Sequence, residues 1–417
     1  MSSPYRTEIR ATAALAAPLA LTQLTQIAMS FVDVVMIGRL GEEALAAGVL
    51  GTTVFFTLFL VCMGVILAVS PMVAQAVGAG DRAGVGRAVR QGLWLATLLG
   101  LPLMAVLSQT ERLLLLAGQE AAVSALAGGY VQAILWGTLP NLWFTALRGF
   151  AEGVARPRPI LLVTVAAAGL NAGLNYVLMY GKLGLPALGL VGCGISSAVV
   201  MWAMFGLLLL FIRTDRDFRS WGAFATLRRP DPEALRGLFR LGWPIGVGFG
   251  LEAGLFTTAT LLTGWVGTAA LAAHQIALNA ASITFMVPLG VALATTVRVG
   301  QAAGRGDRSG AERAGWAGVA VGLLFMLFAA LLFWLRPGWV VWVYTGEADA
   351  PGVAEVAVGL LGIAAVFQLL DGLQVTAGGA LRGLKDTRSP MVVGAVAYWG
   401  VGVTAAYGLA FGLGLGV

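Results

Sequence analysis

The chain has 417 residues; 59% are hydrophobic and 11% charged, and 26 Lys and Arg against 20 Asp and Glu give a net charge of +6. A water-exposed globular protein of this length needs a charged surface that this composition does not supply, so that class is excluded. The basic excess could suggest nucleic acid, but it is confined to loops between apolar runs, the distribution of a membrane protein.

Eleven apolar runs are long enough to cross a hydrocarbon core of about 30 Å. In chain order they are 14–38, 44–76, 88–108, 121–147, 159–180, 188–212, 241–266, 270–297, 314–335, 354–380 and 390–412. The fold expected is an all-α polytopic membrane protein. The first run is too long for a cleavable signal, so none is expected. Cys62 and Cys193 fall inside runs and read as small core residues. Alternate loops are strongly unequal in charge. Arg6, Arg10 and the loops 82–90, 148–158, 213–240, 298–313 and 382–388 hold 22 of the 26 cations, leaving Arg39, Arg112, Lys182 and Arg336 for the other side. The positive-inside rule then places the N-terminus in the cytoplasm. The location expected is the inner cell membrane.

The chain repeats itself. At a shift of 226, "VAQAVGAGDRAGVGRA" lies over "VGQAAGRGDRSGAERA", and Pro18 over Pro244. At a shift of 230, "EGVARPR" lies over "RGLKDTR". Six spans separate the copies, so both keep one orientation, and a substrate site is expected at their interface. The domains read are an N-terminal lobe, 1–212, a cytoplasmic linker, 213–240, and a C-terminal lobe, 241–417. The sixth span of the first copy has no counterpart in the second. The sequence stops at "GLGLGV", where it would begin, and this reads as a twelve-helix design without its last helix. In the linker, "RRPDPEALRG" signals a helix start, with Pro232 after Asp231 and Glu233 in the first turn.

Almost every acidic residue falls in a loop, with three exceptions: Asp33, Glu252 and Asp371. A charge within the bilayer costs roughly 3 kcal/mol on insertion scales, and such residues usually face an internal cavity. At 1.5 Å per residue, Glu252 and Asp371 both lie about 17 Å above the cytoplasmic edge, counted from Arg240 and Arg382. Two carboxylates at one depth could share a proton or hold Na⁺. Asp33 lies about 9 Å below the outer edge, and Asn171 and Asn175 share one helix face near its depth. They form a second candidate polar site. The bland alternative for each acid is snorkelling or pairing with a basic residue. No Lys or Arg is found in the runs around Glu252 and Asp371. No residue is assigned a catalytic role.

Other candidates are weaker. His274 could relay protons, though a packed or interfacial histidine is the simpler reading. Gln275 and Asn279 share a face and could line a cavity or bond between helices. Phe256 and Phe367 sit one turn from Glu252 and Asp371, and an aromatic ring beside an acid could hold an organic cation. Pro71, Pro140, Pro244 and Pro288 could bend spans. "GAGDRAG" lacks the Lys-Ser/Thr and the preceding strand of a nucleotide loop.

Several stretches in order resemble the multidrug and toxic compound extrusion (MATE) family, its NorM-like branch most closely. They are "FVDVVMIGRLG", "NYVLMYGKLGLPALGLVGCG", "AHQIALN" with "FMVPLGVALATTVRVGQAAG", and "FQLLDGLQVTAGGALRGLKDTR". The resemblance covers the chain from about residue 10 onward. It implies two six-helix lobes around a central cavity, and export of cationic lipophilic drugs and dyes in exchange for H⁺ or Na⁺. It implies a cation site on Glu252 and Asp371, with Asp33, Asn171 and Asn175 acting in the other lobe. The position of Phe367 is often tyrosine in the family, so a hydroxyl is missing here. No cofactor is expected beyond the coupling ion, with Glu252 and Asp371 as the metal site if that ion is Na⁺. The partners expected are drugs and membrane lipid, with no nucleic acid, and the chain is expected to be a monomer.

Other classes fit less well. A lipid-carrier flippase should hold phosphates with deeply placed Arg or Lys, and none is read here. A membrane enzyme lacks HExxH and GxSxG, and a primary pump lacks a P-loop. A channel fits the duplication less well than alternating access does.

Overall fold

The computed structural model describes residues 4–224, 230–346 and 352–412, and all regular structure among them is helical. The helices are α1 (Pro4–Gly38), α2 (Glu42–Ile66), α3 (Val69–Gly78), α4 (Arg82–Leu107), α5 (Thr110–Leu116), α6 (Ala121–Gly153), α7 (Arg158–Tyr180) and α8 (Gly189–Thr214). They continue with α9 (Arg216–Arg219), α10 (Pro232–Val266), α11 (Thr268–Gly304), α12 (Arg308–Leu335), α13 (Pro337–Thr345), α14 (Val353–Gly383), α15 (Arg388–Ala395) and α16 (Val403–Tyr407). Two π-helical turns, Val396–Gly402 and Gly408–Gly412, flank α16.

Eleven segments among the described residues are long and apolar enough to cross a membrane, in register with the eleven runs of the sequence. Helix is the form these runs must take, because hydrocarbon offers backbone groups no partner. Several hydroxyls inside the spans bond to their own helix: Thr22 donates to the Pro18 carbonyl at 2.8 Å and Thr164 to Ile160 at 2.9 Å. The position where a twelfth span was expected to begin, residues 413–417, lies outside the described residues.

The duplication is visible in the backbone. Asp81 and Asp307, 226 apart, cap α4 and α12 alike, each accepting a hydrogen bond at 2.8 Å from the backbone N–H three residues on. Ala155 and Lys385, 230 apart, are both non-glycine residues in the left-handed region, at φ 57° and 63°. The helix start read at Asp231 is also present. Its carboxylate accepts from the N–H groups of Glu233 and Ala234 at 3.1 and 3.2 Å, and Pro232 opens α10.

Backbone contacts divide the chain into two compact units. One comprises Leu24–Gly246 with Gly304–Gly306. In it α6 is central, packing on α2, α3, α4 and α8, while α7 packs on α8. The other comprises the residues up to Gln23, Val247–Ala303 and those from Asp307 on. There α14 packs on α12 and α13, around Ala273, Ala330, Phe333 and Leu361. Small residues permit close approach: a Cβ on Gly379 would lie 2.5 Å from the Ala292 carbonyl oxygen. In the same unit Glu8 of α1 receives a two-pronged ion pair from Arg298 of α11, both contacts at 2.8 Å.

Pro71 interrupts its span as expected: the run 44–76 opens at Leu67 and Ala68, because the proline has no N–H to give the Leu67 carbonyl four residues back and its ring crowds that carbonyl. Three expectations need correction. The loop assigned to 148–158 begins later, because α6 continues to Gly153. Glu152 is therefore a helical acid and not a loop one; its side chain is 0% exposed and accepts from Arg148 at 2.7 Å. Arg382, read as a loop residue, lies in the last turn of α14. A helix outlasts its apolar run when its end is held by protein, so the change of composition marks the membrane edge and not the helix end. The short helices α5 and α13 lie in segments read as plain loops.

Candidate functional site

Glu252 stands on α10 and Asp371 on α14, within one compact unit. Both are half-buried, and the two carboxyl groups lie within electrostatic reach of each other. The residues that the sequence placed at one depth are thus brought together. Arg382, beyond the apolar run at the end of α14, exerts a secondary electrostatic influence on Glu252. The rings of Phe256 and Phe367 meet edge to face with centroids 6.3 Å apart, each one turn from an acid. Among the described residues no three His, Cys, Asp or Glu side chains form a metal-holding group. A cation held by the pair would draw its remaining ligands from neutral oxygens.

Two side chains beside the acids were not singled out from sequence. Gln374, one turn past Asp371, donates to the hydroxyl oxygen of Tyr398. Both carboxylates in turn act on the Tyr398 phenol. The i, i+3 spacing of Asp371 and Gln374 in "DGLQ" was a usable signal. Tyr398 carried none, since a tyrosine in an apolar run reads equally as lipid-facing.

The remaining candidates of this unit are dispersed. Asn279 is exposed and donates to the Gln275 backbone carbonyl at 2.9 Å, so its amide serves its own helix. His274 is half-buried, and its Nε2 has no hydrogen-bond partner among the described residues. Thr284 of α11 donates to the buried Gln368 of α14, a cross-helix bond that the sequence did not predict.

In the other unit Asp33, Asn171 and Asn175 are brought into one hydrogen-bonded cluster. Asn175 donates to Asp33 at 2.5 Å and to the side-chain carbonyl of Asn171 at 3.3 Å. Both asparagines are buried, at 0% and 1% exposed, and a turn of α7 separates them. Asp33 also acts on Tyr130 and Cys193, whose positions the sequence did not connect with it. Tyr130 is bonded to Thr52 at 3.4 Å. Both cysteines are free thiols. Chemically, each unit offers ionisable oxygen in an apolar helix bundle, able to take up a proton or a hard cation.

The MatE family model matches residues 18–177 and again 244–407, two segments that start at the duplicated prolines. A "Probable multidrug resistance protein NorM" of Synechococcus sp. is 43% identical over 414 residues, covering 99% of this chain and 89% of its own length. A second with that description, from Bradyrhizobium diazoefficiens, is 44% identical, covering 96% of this chain and 86% of its own. One from Pseudomonas aeruginosa is 42% identical, covering 100% and 86%. Among solved structures, the eukaryotic MATE transporter AtDTX14 superposes with a TM-score of 0.88 at 20% identity, covering 99% of this chain and 91% of its own. A MOP superfamily transporter from Pyrococcus furiosus gives 0.88 at 21%, covering 98% and 90%. At such identities the structures speak for the fold alone.

Proposed function

The chain belongs to the MatE family of multi-pass membrane transporters, which are not enzymes, and on that premise we propose that it is a multidrug efflux transporter. The names of its relatives support drug export. In our reading it exports cationic lipophilic compounds in exchange for H⁺ or Na⁺, by alternating access of the lobes 1–212 and 241–417 about the linker 213–240. It acts as a monomer in the inner membrane with its N-terminus in the cytoplasm.

The observation that carries the reading is the pair Glu252 and Asp371, two interacting acids on membrane-spanning helices of one unit. Two half-buried like charges on membrane-spanning helices favour taking up a proton or a counter-cation over both staying ionised alone. A proton or Na⁺ arriving from outside satisfies them, and the state that holds it disfavours the state that holds drug. Each ligand must prefer a different arrangement for the two fluxes to be coupled. Gln275, Asn279, Phe256 and Phe367 belong to the wall that receives the organic cation. Asp33 with Asn171 and Asn175 is a second titrating site in the other lobe. No resident cofactor takes part.

The test is dye accumulation in cells stripped of their own efflux pumps. Expression of the chain should lower the steady-state level of a cationic dye such as ethidium. Asp371→Asn and Glu252→Gln, present in the membrane at equal amounts, should restore it. Unchanged protection in both variants would remove the acid pair from the mechanism.

A further inference from the structure

The last span departs from a plain α-helix where it passes the acid pair. At Val396–Gly402 it winds as a π-helix, and Val403 N–H bonds to the Tyr398 carbonyl five residues back. A turn holding one extra residue rotates the rest of the helix by about 100°, and such turns often occur at functional sites. Here the wide turn carries Tyr398 and Trp399. Trp399 Nε1 donates to the carbonyl of Leu251 at 3.1 Å, the residue before Glu252. Its ring covers Gly254, where a Cβ would come within 2.8 Å of Cζ2. The turn is therefore clamped to α10 on both sides of Glu252. On its other flank, Gln374 holds the Tyr398 hydroxyl one helical turn from Asp371.

This inference rests on the efflux reading above. We propose that Tyr398, held by Gln374, is a positioning residue of the cation site, whose hydroxyl donates to the carboxylates of Glu252 and Asp371 and ties the last span to them. The phenol oxygen already accepts from Gln374, which leaves its own O–H to be given away. Arg382, the basic group acting on Glu252, offers no acceptor. Hydrogen bonds to ionised acceptors are roughly twice as strong as neutral ones, so Tyr398 binds most firmly when the pair is charged. Neutralising the pair with a proton or Na⁺ loosens that bond. The last span thereby senses whether the site is filled, and the hydroxyl helps to set the affinity of the coupling ion.

The experiment measures dye uptake into everted vesicles against the luminal concentration of the driving cation, protons or Na⁺. Wild type, Asp371→Asn, Tyr398→Phe, Gln374→Leu and the Tyr398/Gln374 double variant are compared. Tyr398→Phe keeps the ring and removes only the hydroxyl. It should move the half-saturating cation concentration at least about tenfold, the lower range for a hydrogen bond to a charged group, with maximal rate and protein level little changed. Gln374→Leu, at an exposed position, should reproduce the change, and the double variant should add nothing further. An unmoved midpoint in Tyr398→Phe, or additive effects, overturns the assignment. If wild type drives uptake, Asp371→Asn does not, and Tyr398→Phe behaves as wild type, this inference alone falls. If wild type drives none with either cation, the efflux reading falls and takes this one with it.

Discussion

Charged side chains inside apolar helices are the residues on which this molecule turns, and they are not all of one kind. Asp371 and Glu252 are like charges within electrostatic reach on α14 and α10, whereas Glu152 is fully buried against Arg148. Removing one partner of a buried pair leaves an uncompensated charge. Arg148→Met should therefore lower stability by about 3–5 kcal/mol, and joining it to Glu152→Gln should recover most of the loss. Thermal unfolding of the detergent-solubilised protein reads both. Asp33→Asn should be milder for folding, since an amide still accepts from Asn175, and should alter drug affinity more than stability; dye-binding titrations test this. Asp33, Glu252 and Asp371 were legible in the sequence because a carboxylate in a long apolar run has no ordinary explanation there. Glu152 was not, because it and Arg148 stand where apolar run gives way to charged loop, and a buried pair there has the composition of a solvated one. Tyr398 escaped for another reason. Its ring suits a membrane and only its hydroxyl is functional, so one-dimensional pattern says nothing about which way it points.

Helix ends and helix crossings are set by a few residues per element. Asp81 and Asp307 cap α4 and α12 through the same bond in the two copies of the repeat. Replacing either with Ala should cost about 1 kcal/mol, and the two losses should add, because the caps share no partner. Gly290 lets α11 cross α1 closely: a Cβ there would lie 2.5 Å from the Ala20 backbone nitrogen. Backbone cannot yield as a flexible side chain can, so Gly290→Val should separate the two helices and reduce the folded yield, measured by size-exclusion of the solubilised protein. The helix start at Asp231 was readable from its Asp-Pro signal, whereas the caps at Asp81 and Asp307 were seen in the sequence only as part of the repeat. The break between α2 and α3 was signalled by Pro71, four residues past Leu67, while the apolar residues around it hid where the helix would open. The π-helical turns of the last span lie in a Gly-rich apolar run that gave no sign of them. The short helices α5 and α13 were missed because helices of 7 and 9 residues lack the length that made the spans evident.

At the scale of the whole molecule, the number of spans and the internal repeat were plain, because hydropathy and self-similarity are properties of long stretches and tolerate local error. The compact units were less so. The first 23 residues of the chain cluster with the segments from Val247 onward, although the repeat assigns them to the other copy. The cause is tertiary contact, such as the Glu8–Arg298 pair, which periodicity cannot reveal. Orientation makes its own prediction. Arg87→Cys should be labelled by an impermeant thiol reagent in everted vesicles and Lys182→Cys only in intact spheroplasts, with the opposite pattern reversing the positive-inside assignment. The central claim is that cation flux through Glu252 and Asp371 drives drug out. It is tested most directly by loading everted vesicles with H⁺ or with Na⁺ and measuring uptake of a cationic dye, with Asp371→Asn beside wild type. Uptake driven by one luminal cation and lost in the variant is the predicted result. Equal uptake by the variant, or uptake by wild type with no cation gradient at all, would contradict it.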